Sequence, residues 1–141
     1  MRLSGGFVIT VKLPWPPSTN NLYLTTWRKG IAVRVPGKRA TAYAKAVGDQ
    51  VLVQQVPRFQ LTGSLVVWLY CRPPDNRSRD LDNLPKAVLD SLVKAGVLPD
   101  DSFIDELHII REQNMPDGEI EVNISELRTH ALRRDLLVNA R

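Results

Sequence analysis

The sequence predicts a single α+β domain in which a mixed sheet carries two main helices, in the order β-α-β-α-β-β. Its 141 residues fit one domain with a sizeable core. Hydrophobic residues make up 43% and charged residues 24%, a globular composition that excludes disordered and fibrous classes. Apolar residues recur with period two in some segments and with helical spacing in others, and prolines and glycines separate these segments.

The first half predicts a strand, a loop, a hairpin and a helix. Alternating apolar residues predict the strand at 7–13, and three prolines within 14–20 predict a rigid loop because proline lacks an amide donor and fixes φ. Segments 22–27 and 31–35 flank a basic tip, which predicts a hairpin that reaches outward. Helical spacing then predicts the first helix from 38 to about 56.

The second half predicts a buried strand, a helix and two more strands. The apolar run 64–71 predicts a central strand. A helix is expected to begin near Asp82, with Asp80 or Asp82 as its N-cap, and to end at Gly96; the two helices would form crossovers between the early strands. Segments 104–112 and 119–125 alternate around an Asp117-Gly118 turn, which predicts a second hairpin. The tail from Leu127 is compatible with a short basic helix or with a frayed end.

Charge is divided unevenly along the chain. Residues 1–72 carry ten Lys or Arg against one acid, a net charge of +9, whereas residues 73–141 carry nine against fourteen, a net charge of −5. A half this basic favours a polyanion partner such as nucleic acid, and a solvated basic surface is the alternative.

The sequence also excludes several classes of protein and site. One cysteine and two histidines cannot build a Cys/His zinc site, so any metal would need oxygen ligands. The longest apolar run is far shorter than the ~20 residues of a membrane helix, and the N-terminus lacks the apolar core of a signal peptide. We therefore expect a cytoplasmic protein.

Polar side chains are densest at 77–83, the turn between the buried strand and the second helix. In an extended segment Asp80 and Asp82 point to the same side, and paired carboxylates suit Mg²⁺. Either Asp100 or Asp101 is a candidate third carboxylate on the returning chain. The alternatives are that Asp80 or Asp82 caps the helix and that 99–101 is an ordinary turn.

Lys86 lies one helical turn after Asp82, and Asp90 and Lys94 continue the same face. This spacing favours a row of surface ion pairs for Asp90 and Lys94. Lys86 itself fits either that row or a role in stabilising phosphate charge. Tyr23 and Trp27, beside the basic hairpin tip, fit either hairpin packing or contacts with DNA bases.

Two motifs together resemble the RusA family of Holliday-junction resolvases, over most of residues 8–126. They are the segment 13–20, LPWPPSTN, and the segment 79–84, RDLDNL, with Lys86, Asp90, Asp100 and Asp101 following. Pro85 and the tail have no family counterpart that we can name. The resemblance implies a RusA-like endonuclease domain at 1–126 and a C-terminal tail at 127–141.

The resemblance further implies a Mg²⁺ cofactor and a homodimer that makes paired cuts in four-way DNA junctions. By position, Asp80, Asp82 and Asp101 would bind the metal and Lys86 would take part in catalysis. Asp100, Asp90 and Asn83 would support these groups, with Asp100 also an alternative ligand. The DNA-binding candidates are basic residues near the motif and in the first half: Arg28, Lys29, Lys38, Arg39, Arg77 and Arg79.

These observations predict a Mg²⁺-dependent, structure-specific DNA endonuclease that resolves Holliday junctions in recombination and repair. The alternative is a non-catalytic branched-DNA-binding protein in which the aspartates cap a helix and form surface ion pairs. A structural protein without a nucleic-acid partner would leave the +9 half unexplained.

Overall fold

The computed structural model describes residues 8–18 and 22–127. In this part of the chain, two short 3-10 turns lie at Leu81–Asn83 and Asp101–Phe103. The regular elements are, in order, β1 (Val8–Leu13), β2 (Tyr23–Arg28), β3 (Ile31–Pro36), α1 (Lys38–Val53), β4 (Leu65–Arg72), α2 (Pro85–Lys94), β5 (Ile104–Arg111) and β6 (Glu119–Glu126).

Four strands form the main sheet, in the spatial order β1-β6-β4-β5. β4 and β5 run parallel, and β6 is antiparallel to both β1 and β4. Because α2 connects the parallel neighbours β4 and β5, it forms a crossover of the kind that parallel strands require. The mixed sheet and the two helices confirm the predicted α+β class.

The predicted hairpin between the last two strands is wrong. β4 lies between β5 and β6, so these strands share no hydrogen bonds. The connecting segment instead crosses the end of β4, where the Glu112 amide donates to the Cys71 carbonyl at 2.8 Å and the Met115 amide donates to the Pro73 carbonyl at 2.9 Å. The Asp117-Gly118 turn does form, with positive φ at both residues. Turn chemistry alone did not identify the strand that pairs with β6.

The N-terminal hairpin is confirmed as a separate two-stranded sheet. β2 and β3 pair antiparallel, with Arg28 opposite Ile31 across a two-residue turn. Lys29 and Gly30 have φ values of 51° and 77°. Positive φ at both central residues is the type I′ pattern, whose twist matches that of the flanking strands.

One face of the main sheet packs against the helices. Alternate residues of β1 and β6 are buried there, as expected when one face of a sheet is covered. On the central strand β4, Leu65, Val67, Leu69 and Cys71 are all fully buried. Burial raises the pKa of the Cys71 thiol to about 11, so this cysteine is a protonated core residue at neutral pH.

α1 begins at Lys38 as predicted, but its end and the start of α2 differ from the prediction. α1 ends at Val53, three residues before the predicted end. α2 begins at Pro85, after the separate 3-10 turn, and its N-cap is Leu84, so neither aspartate caps it. Proline is well suited to this first helical position because the amide there has no helical partner. Gly96 follows α2 with φ of +80°, as predicted for a helix stop.

Several predictions concern segments outside the described residues. They include part of the proline loop at 19–20, the start of the first strand at Phe7, and the tail beyond Leu127. Within the described ranges, no helix is long and apolar enough to span a membrane.

Candidate active site

The two sequence motifs meet in one open cleft of about 290 Å³. The proline-tryptophan loop forms one wall and the segment that follows β4 forms the other. The cleft is lined by Trp15, Pro16, Pro17, Ser18, Ser78, Arg79, Asp80, Asn83 and Leu84. Residues more than sixty positions apart in the sequence therefore share a single surface depression, which we call the motif cleft.

The proline-tryptophan loop is anchored from two sides. The buried Tyr43 hydroxyl on α1 donates to the Pro14 carbonyl at 2.8 Å. On the other side Gly118, with φ of +72°, approaches the Trp15 side chain so closely that an added Cβ would lie 2.9 Å from the Trp15 Cβ and 3.0 Å from the Pro74 Cδ. The turn between β5 and β6 thus supports the wall of the motif cleft.

Arg79 links the two walls. Its guanidinium lies 5.8 Å from the Trp15 ring centre, a cation-π distance, and its Nη1 donates to Asp75 Oδ1 at 2.6 Å. Arg77 forms a longer ion pair with the other Asp75 oxygen, at 3.4 Å. Hydrogen bonds from Arg79 and from the Arg77 amide lower the pKa of Asp75 to about 2. These two predicted DNA-binding residues are therefore already bound to a carboxylate of the same turn.

Asp80 and Asp82 lie on the exposed side of this turn. Asp80 has an extended backbone, but Leu81–Asn83 form a 3-10 turn, so the predicted extended segment through Asp82 is wrong. Leu81 packs against the core as expected. Asp80 holds the N-cap position of the 3-10 turn but makes no side-chain capping bond. Among the described residues, neither carboxylate has a hydrogen-bond or ion-pair partner, which leaves their oxygens available to a cation.

Asp100 and Asp101 lie beyond the other end of α2. Asp100 accepts a hydrogen bond from the Ser102 amide, and its interactions with the Asp101 side chain and with Ser102 lower its pKa. Asp101 is exposed at the start of the 3-10 turn that leads into β5. The two acidic groups are thus separated by α2, whose ten residues span about 15 Å.

The strand register supports the same separation. Ile104, three residues after Asp101, pairs with Leu65 at the start of β4, whereas Arg111 at the far end of β5 donates to the Arg79 carbonyl. Within residues 8–18 and 22–127, no three Asp, Glu, His or Cys side chains lie close enough together to bind one metal ion. One copy of the chain therefore places Asp80 and Asp82 at the same 3-10 turn, whereas Asp101 lies at a different turn.

Lys86 projects from the first turn of α2 and pairs with Asp90, with 3.2 Å between Nζ and Oδ1. In the described part of the chain, neither Asp82 with Lys86 nor Asp90 with Lys94 forms an ion pair, so the predicted row of pairs reduces to one. The other Asp90 oxygen accepts a hydrogen bond from the Tyr23 hydroxyl on β2. This bond joins the basic hairpin to the helix that carries Lys86.

The remaining DNA-binding candidates are exposed on the basic half. Arg28 and Lys29 lie at the hairpin tip, and Lys38 and Arg39 begin α1, which has no acidic residue in its first turn. Because the positive end of the helix dipole lies at the N-terminus, basic residues there do not stabilise the helix but do favour a bound anion.

Sequence reasoning missed three contacts between side chains. Arg34 on β3 lies over the Tyr23 ring at 5.5 Å, and Tyr23 contacts Asp90, although 67 positions separate these two residues. On the other face of the sheet, His108 stacks on Trp68 with 3.9 Å between ring centres. Alternate residues of β2 and β3 share a face, and this pattern was the available signal for the contact between Arg34 and Tyr23. The other two contacts depend on how separate elements pack.

The chain is similar to known endodeoxyribonucleases along most of its length. A family model described as "Endodeoxyribonuclease RusA" matches residues 14–125. A crossover junction endodeoxyribonuclease of Enterobacteria phage HK97 is 36% identical over 116 residues, which covers 82% of this chain and 92% of the phage protein. The Escherichia coli K12 protein of that name is 33% identical over 118 residues, covering 84% and 94%. The matched region contains both walls of the motif cleft, and the chain belongs to the RusA family of endodeoxyribonucleases.

Proposed function

We propose that this protein is a Mg²⁺-dependent endonuclease that resolves Holliday junctions by paired phosphodiester hydrolysis in DNA recombination and repair. The observation that carries the proposal is the motif cleft, in which the two family motifs meet and Asp80 has no partner among the described residues. The relatives, named as crossover junction endodeoxyribonucleases, support the junction as substrate. We expect the protein to act in the cytoplasm, where this DNA would lie.

Asp80, Asp82 and Asp101 are the proposed Mg²⁺ ligands. Their exposed carboxylates are hard oxygen donors, the type that Mg²⁺ prefers, and the described part of the chain offers no competing cation to Asp80 or Asp82. When bound, the metal would polarise the phosphate and lower the pKa of a bound water, which is the usual chemistry of metal-assisted phosphodiester hydrolysis. Asn83 lines the same cleft and is available to hydrogen-bond the ligands or the phosphate.

We propose that the active form is a homodimer and that the dimer completes the metal site. Asp101 lies about one helix length from Asp80 and Asp82 in a single copy. Mg²⁺ ligands must lie within about 2.1 Å of the ion, so these three carboxylates cannot share one ion in this arrangement. A second copy related by two-fold symmetry could supply Asp101, with Asp100 as the alternative ligand, and would also place two cuts symmetrically.

Lys86 is the proposed catalytic cation. It lies in the first turn of α2, just after the two aspartates, and its ammonium is mostly exposed. A positive charge at this position would stabilise the negative charge that develops on the phosphate during hydrolysis. Asp90, its ion-pair partner, would restrict the directions in which the ammonium points.

Four exposed basic residues of the first half form the proposed DNA-binding surface. Arg28 and Lys29 at the hairpin tip and Lys38 and Arg39 at the start of α1 are exposed and have no acidic neighbour in sequence before Asp49. They would neutralise backbone phosphates and offset the repulsion between DNA and the carboxylates. Arg77 and Arg79 would act mainly through the turn that Asp75 holds.

The test is nicking of a labelled four-way junction, with linear duplex of the same sequence as the comparison, in Mg²⁺ and in chelator. We expect cleavage of the junction in Mg²⁺ alone. Asp80→Asn, Asp82→Asn and Asp101→Asn should each abolish cleavage while junction binding in chelator persists, because Asn keeps the size but loses the charge.

Asp117→Asn is the matched control, since Asp117 is exposed at a turn and Asn tolerates its positive φ. This variant should cut like the parental protein. Binding to junctions without cleavage by the parental protein in any divalent metal would instead support the non-catalytic branched-DNA-binding protein.

A further inference from the structure

A second cleft lies between the β2-β3 hairpin and α2. It has a volume of about 420 Å³ and is lined by Leu22, Tyr23, Arg34 and Lys86. We call it the hairpin cleft. None of the aspartates proposed as metal ligands lines it, and it shares no lining residue with the motif cleft. Among the described residues, two cationic side chains, a phenol and the aliphatic side chain of Leu22 therefore line this depression.

Arg34 presents an unpaired positive charge to this cleft. Its guanidinium lies 5.5 Å from the centre of the Tyr23 ring, which holds the side chain over the aromatic face. In the described ranges, no carboxylate lies within ion-pair distance of Arg34, and residues 22–48 contain no Asp or Glu. A guanidinium in this position is free to donate its remaining N–H groups to an anion.

Lys86 faces the same cleft but already has an anionic partner. Asp90 Oδ1 lies 3.2 Å from Lys86 Nζ, and Asp90 Oδ2 accepts the hydrogen bond of the Tyr23 hydroxyl. The burial of Tyr23 and this hydrogen bond raise the pKa of the hydroxyl to about 12, so it remains a donor at neutral pH. Asp90 is therefore held by the hairpin from one side and pairs with Lys86 on the other.

We propose that the hairpin cleft binds one phosphodiester of the DNA backbone between Arg34 and Lys86, and that in the free protein Asp90 occupies the anion's place beside Lys86. The inference rests on the proposed function insofar as the ligand is DNA. A planar guanidinium and an ammonium across an open groove suit a phosphate of a continuous strand, since the groove does not close around a free ligand. Asp90 would weaken binding to any single phosphate until the rest of the strand is in place.

Equilibrium binding to a labelled four-way junction in chelator, measured across a range of salt, tests the shared phosphate. Each neutralised phosphate contributes about 0.9 to the log–log slope against salt. Arg34→Ala and Lys86→Ala should each flatten the slope, and the double variant should flatten it by about 0.9 in total rather than twice that value, because both cations bind one phosphate. Arg58→Ala removes the same charge from an exposed loop residue outside both clefts and should leave the slope unchanged.

Asp90→Asn tests whether the Asp90 carboxylate competes with a DNA phosphate for Lys86. Asn still accepts the Tyr23 hydrogen bond but no longer pairs with Lys86, so the junction should bind several-fold more tightly at low salt. The control is Asp49→Asn, because Lys45 and Asp49 form the same i,i+4 pair, at 3.4 Å on the exposed face of α1. This control should leave the affinity unchanged.

Additive decreases in slope, a decrease as large for Arg58→Ala, or equal tightening by both Asp→Asn variants would overturn the proposal, because each outcome reports net charge rather than one site. A parental protein that binds junctions with these slope changes but never cuts them would overturn the endonuclease proposal and leave the phosphate site standing. Cleavage of junctions by the parental protein, together with salt slopes that neither Arg34→Ala nor Lys86→Ala changes, would overturn the phosphate site. The endonuclease proposal would then stand.

Discussion

At the scale of single residues, the acidic side chains of this protein differ in whether they have partners. Asp75 pairs with two arginines and Asp90 with a lysine and a tyrosine, whereas the described residues provide no partner for Asp80 and Asp82. Exposed carboxylates beside a 3-10 turn could satisfy its free amides, yet Asp80 does not. Because the Asp80 carboxylate does not cap the 3-10 turn, it is available to bind a different ligand.

The Asp75 carboxylate makes the turn before the motif sensitive to acid. Its pKa of about 2 in the folded protein lies below its usual 3.8, so the folded state binds fewer protons there. The charged Asp75 carboxylate therefore stabilises the folded state at pH values above 3.8. This stabilisation is lost as the pH falls toward about 2. Asp75→Asn should therefore lower the melting temperature at about pH 6 but hardly at about pH 1, where the Asp75 carboxyl is mostly protonated in the folded and the unfolded protein. A difference that persists unchanged at the lower pH would contradict this account.

The sequence could predict contacts within one element but not between elements. The Lys86–Asp90 and Lys45–Asp49 pairs follow directly from i,i+4 spacing on a helix. The bond from Tyr23 to Asp90 depends on how the hairpin packs against α2, and no local pattern specifies that. Likewise, the motif order did not show that α2 would separate Asp101 from Asp80 and Asp82.

At the scale of elements, replacing each of two glycines by alanine should change the free energy of unfolding in opposite directions. Gly118 has positive φ and packs closely on Trp15 and Pro74, so Gly118→Ala should destabilise the fold by at least about 1–2 kcal/mol and displace the wall of the motif cleft. Gly48 lies inside α1 with open space at its Cβ, so Gly48→Ala should stabilise by about 0.5–1 kcal/mol. Chemical denaturation of both variants measures the difference, and similar effects would contradict the assigned backbone strain.

The hairpin tip should contribute to binding without taking part in cleavage. Arg28→Ala combined with Lys29→Gly removes two charges, and Gly preserves the positive φ of residue 29. Junction affinity should fall and the salt slope should flatten by about 0.9 for each phosphate that the tip no longer neutralises, while cleavage of the bound junction at saturation stays near the parental rate. An unchanged slope would show that the tip does not touch the backbone.

The sequence predicted correctly those features that depend only on residues within or next to one element. The type I′ turn of β2 and β3 and the stop at Gly96 both follow from local backbone chemistry. The order of strands depends instead on long-range pairing, so the insertion of β4 between β5 and β6 was not predictable from the Asp117-Gly118 turn. The fold class was predictable, but the neighbours of the last strand were not.

At the scale of the whole molecule, the two faces of the main sheet have different charge. The helical side carries the basic hairpin and the hairpin cleft, which lies against α2. The opposite face of β4 and β6 carries an ion-pair cluster in which Arg72 contacts Glu112, Glu119 and Glu121. Three carboxylates around one guanidinium leave this region acidic, and such a surface would repel DNA. We therefore expect the junction to approach from the side of the hairpin.

The proposed dimer makes a specific prediction about mixed subunits. If Asp101 of one copy completes the site of Asp80 and Asp82 in the other, a heterodimer of Asp80→Asn and Asp101→Asn chains has one site with both changes and one intact site. Co-expressed chains with two different tags, purified in sequence, should therefore nick one strand of the junction, although neither homodimer cuts.

The matched control is the heterodimer of Asp80→Asn and Asp82→Asn chains. Both changes lie on the same side of the proposed interface, so each of its sites lacks one ligand and no nicking is expected. An inactive Asp80→Asn and Asp101→Asn heterodimer that still binds the junction would show that all three ligands come from one chain. That result would require Asp101 to move by about the length of α2, roughly 15 Å, when metal and DNA bind. A single light-scattering peak at the mass of one chain plus one junction would exclude the shared site altogether.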